Sequence, residues 1–405
     1  MGYIDAPRQG VPRGVRVVVA RACFILNPFA GAGGRRAWKG TDWPLPLKIA
    51  REAGPRELPA WRRAERFAAE MARQERARGL RILWLAPPDP MGRGPLEGAG
   101  LRVETVPCIV EGKWPTSPDD TMGCVEECLR RGPELIVFAG GDGTARLVAS
   151  AARRRAPILG VPAGVKVYSA VFSPGPEAAA RLVADFFEGR ARVEEREILD
   201  IDEDAFRRGE LRARLWDYHP APARPGLVVG GKQAHHSQGE LWEMEEIAEY
   251  FREEIARPCT LLVLGPGRTV YEIKRALGVE GSLLGVDAVH NERLLGRDLD
   301  EEGILRLIRE TPHRRVLIVV SPIGGQGFIL GRGNQQISPR ILRLVGPESL
   351  LVVATPTKLR GLKKLLVDTG DPGLDTRLSG HVRVLVGYNR FRIVPVRPGS
   401  GEERP

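Results

Sequence analysis

The segment Leu135-Ile-Val-Phe-Ala-Gly-Gly-Asp-Gly-Thr144 constrains this chain more than any other. Its apolar residues run without a polar interruption, which suits a strand buried on both faces rather than a half-exposed hairpin strand. Strands of that kind belong to parallel sheets, whose strands are joined by helical crossovers. Gly140, Gly141 and Gly143 then let the backbone turn tightly, and Ala145 to Arg154 reads as a helix. Strand, glycine turn and helix start in this order aim the unpaired amides and positive dipole end of the helix back at the turn. Phosphate is the natural occupant, with Thr144 and the glycines around it. Asp142 would be repelled there unless it serves the chemistry, by accepting a proton from an attacking hydroxyl or by holding Mg²⁺. The plain structural alternative is a turn in which Asp142 caps the helix.

The same rhythm recurs along the chain. Strands are expected at Ala22–Leu26, Arg81–Ala86, Leu135–Ala139 and Pro157–Val161, with helices at Leu58–Arg78, Thr121–Arg131 and Pro176–Gly189. After an acidic stretch from Glu194 to Asp204, Leu211–Asp217 and Leu227–Val229 look like exposed strands. The α/β pattern then returns, with strands at Thr260–Leu264, Val316–Val320 and Leu350–Ala354 and terminal strands within His381–Val396. The fold class expected is α/β: an N-terminal Rossmann-like parallel sheet domain over residues 15–200, followed by a second mixed α/β domain over 201–396. Residues 1–14 read as a disordered lead-in and 397–405 as a disordered tail.

Composition narrows the function classes. The formal charge is +10, and only nine of the 61 basic residues are lysine. The arginines are dispersed and not interleaved with aromatics, so the excess suits an anionic small ligand better than nucleic acid. No apolar run reaches the roughly 20 residues of a membrane-spanning helix, and Met1 to Gly14 lacks the apolar core of a secretory signal. A cytoplasmic protein without membrane partners is expected. Cys23, Cys108, Cys124, Cys128 and Cys259 are scattered and odd in number, which argues against a disulfide framework and leaves them as small apolar fillers. They complete no zinc set.

Further loops follow predicted strands. Asn27-Pro-Phe-Ala-Gly31-Ala-Gly33-Gly34 places small residues where backbone amides face an anion. It does not complete the dinucleotide fingerprint, and no P-loop occurs in the chain. In Gly160–Ser169, Gly164 and Lys166 are candidate phosphate contacts, the alternative being a solvated lysine. In the second half, Ser321-Pro-Ile-Gly324-Gly325-Gln326-Gly327 could meet an anion, and Asn334, Gln335 and Gln336 offer paired donors and acceptors suited to an amide or a base edge. Gly265-Pro-Gly267 is a similar loop, Asp368–Asp371 reads as a turn, and His235-His236 as a surface loop.

Asn27-Pro28 with Gly31, the Gly140–Thr144 loop and the Gly160–Ser169 segment resemble, in order and spacing, the NAD kinase and diacylglycerol kinase-like superfamily. Lys39–Asp42, Gly324–Gln336 and Ala354-Thr-Pro-Thr-Lys358 are similar to segments of its archaeal-type ATP-NAD kinase branch, which includes the acetoin-catabolism protein X. The resemblance covers residues 20 to 390. It implies that Asp142 is the catalytic acid/base and that Asn27, Gly31, Gly33, Gly140, Gly141, Gly143 and Thr144 line the phosphates of ATP. The implied reaction moves the γ-phosphate to the 2′-hydroxyl of the adenosine ribose of NAD, giving NADP with Mg²⁺. It also implies a symmetric homo-oligomer. The chain departs from ordinary NAD kinases in lacking a recognisable Asn-Glu/Asp pair, and Thr355-Pro-Thr-Lys358 only partly echoes their Ser/Thr-Pro-Thr-Gly-Ser stretch. Another hydroxyl acceptor, a lipid or a polyol, and a non-catalytic nucleotide sensor are the alternatives.

Overall fold

The computed structural model describes residues 20–33, 45–163, 167–201, 213–224, 238–323 and 327–399. The first sheet holds β1 (Ala20–Leu26), β2 (Ile82–Ala86), β3 (Val103–Thr105), β4 (Leu135–Gly140) and β5 (Ile158–Pro162), all parallel, in the order β3-β2-β1-β4-β5. The chain winds outward from β1 in one direction through β2 and β3. It then returns to the other side of β1 for β4 and β5. Its helices are α1 (Leu45–Glu52), α2 (Pro59–Arg78), α3 (Arg93–Gly98), α4 (Pro118–Arg130), α5 (Asp142–Ala152) and α6 (Pro176–Phe187).

Side-chain alternation explains why the sheet is covered twice. Phe24, Leu26, Leu135, Val137 and Ala139 face a core that includes Trp61, Phe67 and Met71 of α2 and Leu182 and Val183 of α6. Their neighbours Cys23, Ile25, Ile136 and Phe138 face the opposite core, with Val125 of α4 and Val148 of α5. A strand has a side-chain period of two, so an unbroken apolar run feeds both cores at once. The expected helix at Thr121–Arg131 begins earlier, at Pro118, because the Ser117 hydroxyl accepts from the Asp120 amide while the Asp120 side chain accepts from the Ser117 amide.

The cysteine expectation is overturned. Cys23 on β1 is bonded to Cys128 on α4, and Cys108 to Cys124, leaving Cys259 as the free thiol. The Cα separations, 6.1 and 5.0 Å, are ordinary for bridged pairs. Parity and scatter concealed this because the partners meet only when α4 packs on the sheet.

A two-stranded antiparallel ribbon follows, β6 (Arg192–Ile201) and β7 (Ala213–Ala223), and its Ile198 and Ala221 join the core beneath α5. The expected strand at Leu227–Val229 lies outside the described residues, as do Lys39–Asp42 and His235-His236.

The second unit is a mixed sheet ordered β10-β9-β8-β11-β13-β15-β16-β14-β12. Its strands are β8 (Thr260–Leu264), β9 (Asp287–His290), β10 (Arg293–Gly296), β11 (Arg315–Val320), β12 (Phe328–Leu330), β13 (Leu350–Val353), β14 (Leu365–Val367), β15 (Gly380–Gly387) and β16 (Arg390–Pro398). Strands β8, β11, β13 and β15 are parallel, whereas on the other side of β8 strand β9 runs antiparallel to it and β10 antiparallel to β9. Helices α7 (Gln238–Tyr250), α8 (Arg268–Ala276), α9 (Glu301–Glu310), α10 (Pro339–Val345), α11 (Pro356–Leu359) and α12 (Pro372–Arg377) accompany it. Alternation again serves two cores, Leu261, Val263 and Ile318 on one side and Leu262, Leu264 and Val319 on the other.

The units meet in an ion cluster around Asp368, the residue after β14. Arg63 and Arg66 of α2 donate to its two carboxylate oxygens at 2.6 and 3.3 Å, and Arg66 also makes a paired contact with Glu177 of α6. The three arginines around it, the third being Arg332, hold the Asp368 carboxyl below the usual carboxylate range against the opposing effect of burial. Asp375 nearby behaves oppositely, pushed up to about 6 chiefly by burial and further by the Asp368 charge.

Two expectations follow. Thiol titration of the unfolded, unreduced chain should count one cysteine rather than five, and reduction should cost about 2–5 kcal/mol of unfolding free energy per bridge removed. Because the folded pKa of Asp375 lies above the ordinary 3.8, its stabilising contribution is complete in acid and is lost as the pH rises through about 6. Asp375→Asn keeps the Oδ1 acceptor for Thr369, so it should raise stability near pH 7.5 by on the order of 2 kcal/mol and have little effect at pH 4.

Candidate active site

The first unit changes winding direction between β1 and β4, so the loops leaving their carboxyl ends diverge and open a crevice. The Asn27–Gly33 loop leaves β1 there, and Gly140–Thr144 leaves β4. Asn27 Nδ2 donates to Thr144 Oγ1 at 2.9 Å, and Asn27 Oδ1 accepts from the Phe29 amide at 3.1 Å. One side chain thus joins the two loops and shapes its own. Gly31, at φ +78°, brings the first loop against the end of β5, where an added Cβ would lie 2.2 Å from the Ala163 carbonyl oxygen. Gly33 is buried in the same loop.

Helix α5 starts at Asp142, with Gly141 as its N-cap and no side-chain cap. The Asp142 side chain turns instead onto the irregular segment after β5. Its Oδ1 accepts from the Ser169 amide at 2.8 Å and the Ser169 hydroxyl at 2.6 Å, and its Oδ2 accepts from the Tyr168 amide at 2.8 Å. Ser169 Oγ in turn accepts from the Leu199 amide of β6 at 3.0 Å, so the ribbon braces the carboxylate. Asp142 is 8% exposed. Burial first, and the adjacent Asp142 charge second, push the Tyr168 phenol above its ordinary range.

Gly143 is the informative glycine. It is exposed, lies in the first turn of a helix, and an added Cβ would meet nothing within 4 Å. Glycine costs a helix about 1 kcal/mol relative to alanine, and no atom of the described residues demands it. A bare backbone beside the amides of a helix start leaves room for close approach of a ligand.

Of the other sequence candidates, Gly164, Lys166, Gly324, Gly325 and Gln326 lie outside the described residues. Asn334 is buried, and both its polar atoms serve its own loop, accepting from the Gly331 amide and donating to the Ile329 carbonyl. Around it, Arg332 Nε and Nη1 and the Oε1 atoms of Gln335 and Gln336 are buried without hydrogen-bond partners. Arg332 is 3% exposed, stacks over Phe328 and donates to the Pro174 carbonyl of the first unit, and burial lowers its pKa to about 9.

Sequence reasoning passed over the pair Tyr168–Ser169 as the support of Asp142, since a backbone amide acting from 26 residues away has no local signature. Arg332 and Lys358 also went unmarked as individual residues, although lysine is scarce enough here for Lys358 to merit scrutiny. Among the described residues no three His, Cys, Asp or Glu side chains cluster as metal ligands.

Two family models match the chain: the ATP-NAD kinase N-terminal domain over residues 56–191, and the ATP-NAD kinase C-terminal domain over residues 260–396. No curated protein matches it closely. The first match takes in Asp142 and its supports; the second takes in β8 through nearly all of β16.

Gly143→Ala separates a folding role from a ligand role. Unfolding free energy should stay constant or rise by up to about 1 kcal/mol, while calorimetric affinity for ATP falls by about tenfold or more. Lost stability with unchanged ATP affinity would contradict the ligand role.

Proposed function

The chain belongs to the NAD kinase family and is a phosphotransferase acting on an alcohol, and from this we propose that it transfers the γ-phosphate of ATP to the 2′-hydroxyl of the adenosine ribose of NAD, releasing NADP and ADP. The observation that carries the assignment of roles is the carboxylate of Asp142 in the first turn of α5, beside the open backbone of Gly143 and at the winding reversal of the sheet.

In this reading the amides at the start of α5 and the Asn27–Gly33 loop bind the phosphate chain. The hydroxyl oxygen attacks the γ-phosphorus as the bond to the β-phosphate oxygen breaks, and Asp142 receives the hydroxyl proton. Tyr168 and Ser169 keep the carboxylate in one orientation, so little reorganisation accompanies the transfer. Mg²⁺ would supply neutralisation of phosphate charge. A single carboxylate fits an ion carried chiefly by the nucleotide's own phosphates, since Mg²⁺ usually takes one or two carboxylates and completes its shell with phosphate and water. We place the protein in the cytoplasm. No helix among the described residues is long and apolar enough to cross a membrane.

With ATP, Mg²⁺ and NAD supplied, product analysis should identify NADP in equal amount to ADP. Asp142→Asn should lower kcat by about 10²–10⁴ while ATP affinity stays within a few-fold. Absence of NADP, or a variant that turns over like the parent chain, would sink the proposal.

A further inference from the structure

The second sheet also reverses its winding. From β8 the chain goes to β9 and β10 on one side, then returns to the other side for β11, β13 and β15. The loops leaving β8 and β11 therefore open a second crevice at their carboxyl ends, where ligands of open α/β sheets bind. Neither the reaction chemistry above nor the Asp142 site uses it.

Its walls are made by three adjacent parallel strands. Gly265-Pro266-Gly267 leaves β8 and leads into α8, and the Gly265 amide donates to the Val319 carbonyl of β11. Ser321 follows β11 and is 3% exposed. Thr355 and Lys358 follow β13. The first turn of α8 presents the orphan amides and dipole end of a nine-residue helix. In that turn Thr269 is fully buried, and its hydroxyl has no hydrogen-bond partner among the described residues. Polar atoms in such a position are ordinarily satisfied, so an unpartnered hydroxyl beside a helix start is suited to meet a ligand oxygen.

Lys358 supplies the charge. Its ammonium reaches from the β13 loop to the β11 loop and donates to Ser321 Oγ at 3.1 Å, with no carboxylate at ion-pair distance among the described residues. Lys358 is half-buried, and the fully buried lysine of this unit shows what a structural role looks like. Lys274 is fully buried and spends its donors on Asp287 Oδ2 at 2.8 Å, Ser282 O at 2.8 Å and Gly285 O at 3.2 Å. Lys358 uses one donor of three. Burial lowers its pKa to about 8, with the Glu240 charge opposing, so an arriving anion would restore the charged form. Glu240 and Glu243 of α7 accept from Thr355 and Thr357, which docks that helix on the same edge.

The second crevice is tied directly to the first. The Leu283 carbonyl accepts from the Gly267 amide at 2.8 Å, and the next residue, Leu284, packs on Tyr168 and Leu199. Tyr168 is the residue whose amide holds Asp142. Two consecutive residues, in a loop fixed by the Lys274–Asp287 pair, thus touch the start of α8 and the support of the catalytic carboxylate.

We infer that the carboxyl edge of β8, β11 and β13 is an anion-binding subsite, formed by the first turn of α8, Ser321 and Lys358, which takes the phosphate groups of a nucleotide. Identifying that nucleotide as the acceptor rests on the NAD kinase reading; the groups are then the diphosphate of NAD, bound while its ribose hydroxyl meets Asp142.

The test is site-resolved amine labelling of the intact chain at pH 8, read by mass spectrometry, with exposed Lys363 as internal reference. Inorganic pyrophosphate and NAD should each slow labelling of Lys358 by about tenfold or more at saturation, and adenosine should leave it unchanged. An unaltered Lys358 rate with pyrophosphate overturns the subsite. Protection by pyrophosphate but not by NAD keeps the subsite and removes NAD as its occupant, and NADP formation, assayed separately, reports on the kinase reading alone. Lys358→Met should raise KM for NAD by about tenfold to a hundredfold with KM for ATP unchanged, and Lys358→Arg should recover most of that loss. An equal rise in both KM values would count against the proposal.

Discussion

Burial of a parallel strand on both faces leaves the chain only one place to do chemistry, the end where it emerges. Strands β1 and β4 feed two cores at once, with helices covering each side. Past Arg21 at the entry to β1 nothing polar survives along their length, so the candidate site residues gather at Asn27 and at Gly140–Thr144. Reversal of the winding between β1 and β4 then keeps those loops from closing over each other. The second sheet obeys the same constraint at β8 and β11, and it too delivers glycines, a helix start and an unspent side chain to one edge.

Contact between the units links the loop ends of the two sheets. The carboxylate of Asp142 depends on Ser169, Ser169 on Leu199, and the Tyr168–Leu199 surface on Leu284 from the other unit. At a separate seam Arg63 and Arg66 close on Asp368, whose charge they and Arg332 retain inside the protein. A buried carboxylate with several arginines is a poor device for adding stability but a strict one for fixing geometry, since removing a partner leaves uncompensated charge.

Much of this was legible in the sequence. The uninterrupted run Leu135–Ala139 specified a strand covered on both sides, and the glycines behind it specified where that strand ends. The family followed from the same loop in combination with Asn27–Gly31. Helix boundaries shifted by a few residues where capping chemistry, as at Ser117, outweighed periodicity. Asp142, read as either a catalytic group or a cap, turned out not to cap α5, because its oxygens take their donors from the segment after β5.

What the sequence determined by itself was periodicity and punctuation: which residues are apolar in alternation, and where glycine and proline stop them. Those properties are local, and they suffice for strands, helices and the position of the phosphate-type loop. Pairing was decided only in three dimensions. The bridges Cys23–Cys128 and Cys108–Cys124, the grip of Tyr168 and Ser169 on Asp142, and the reach of Lys358 to Ser321 all join residues whose separation along the chain carries no signal. They come together because helices pack on sheets and loops converge at strand ends, which fixes distances that no local pattern encodes.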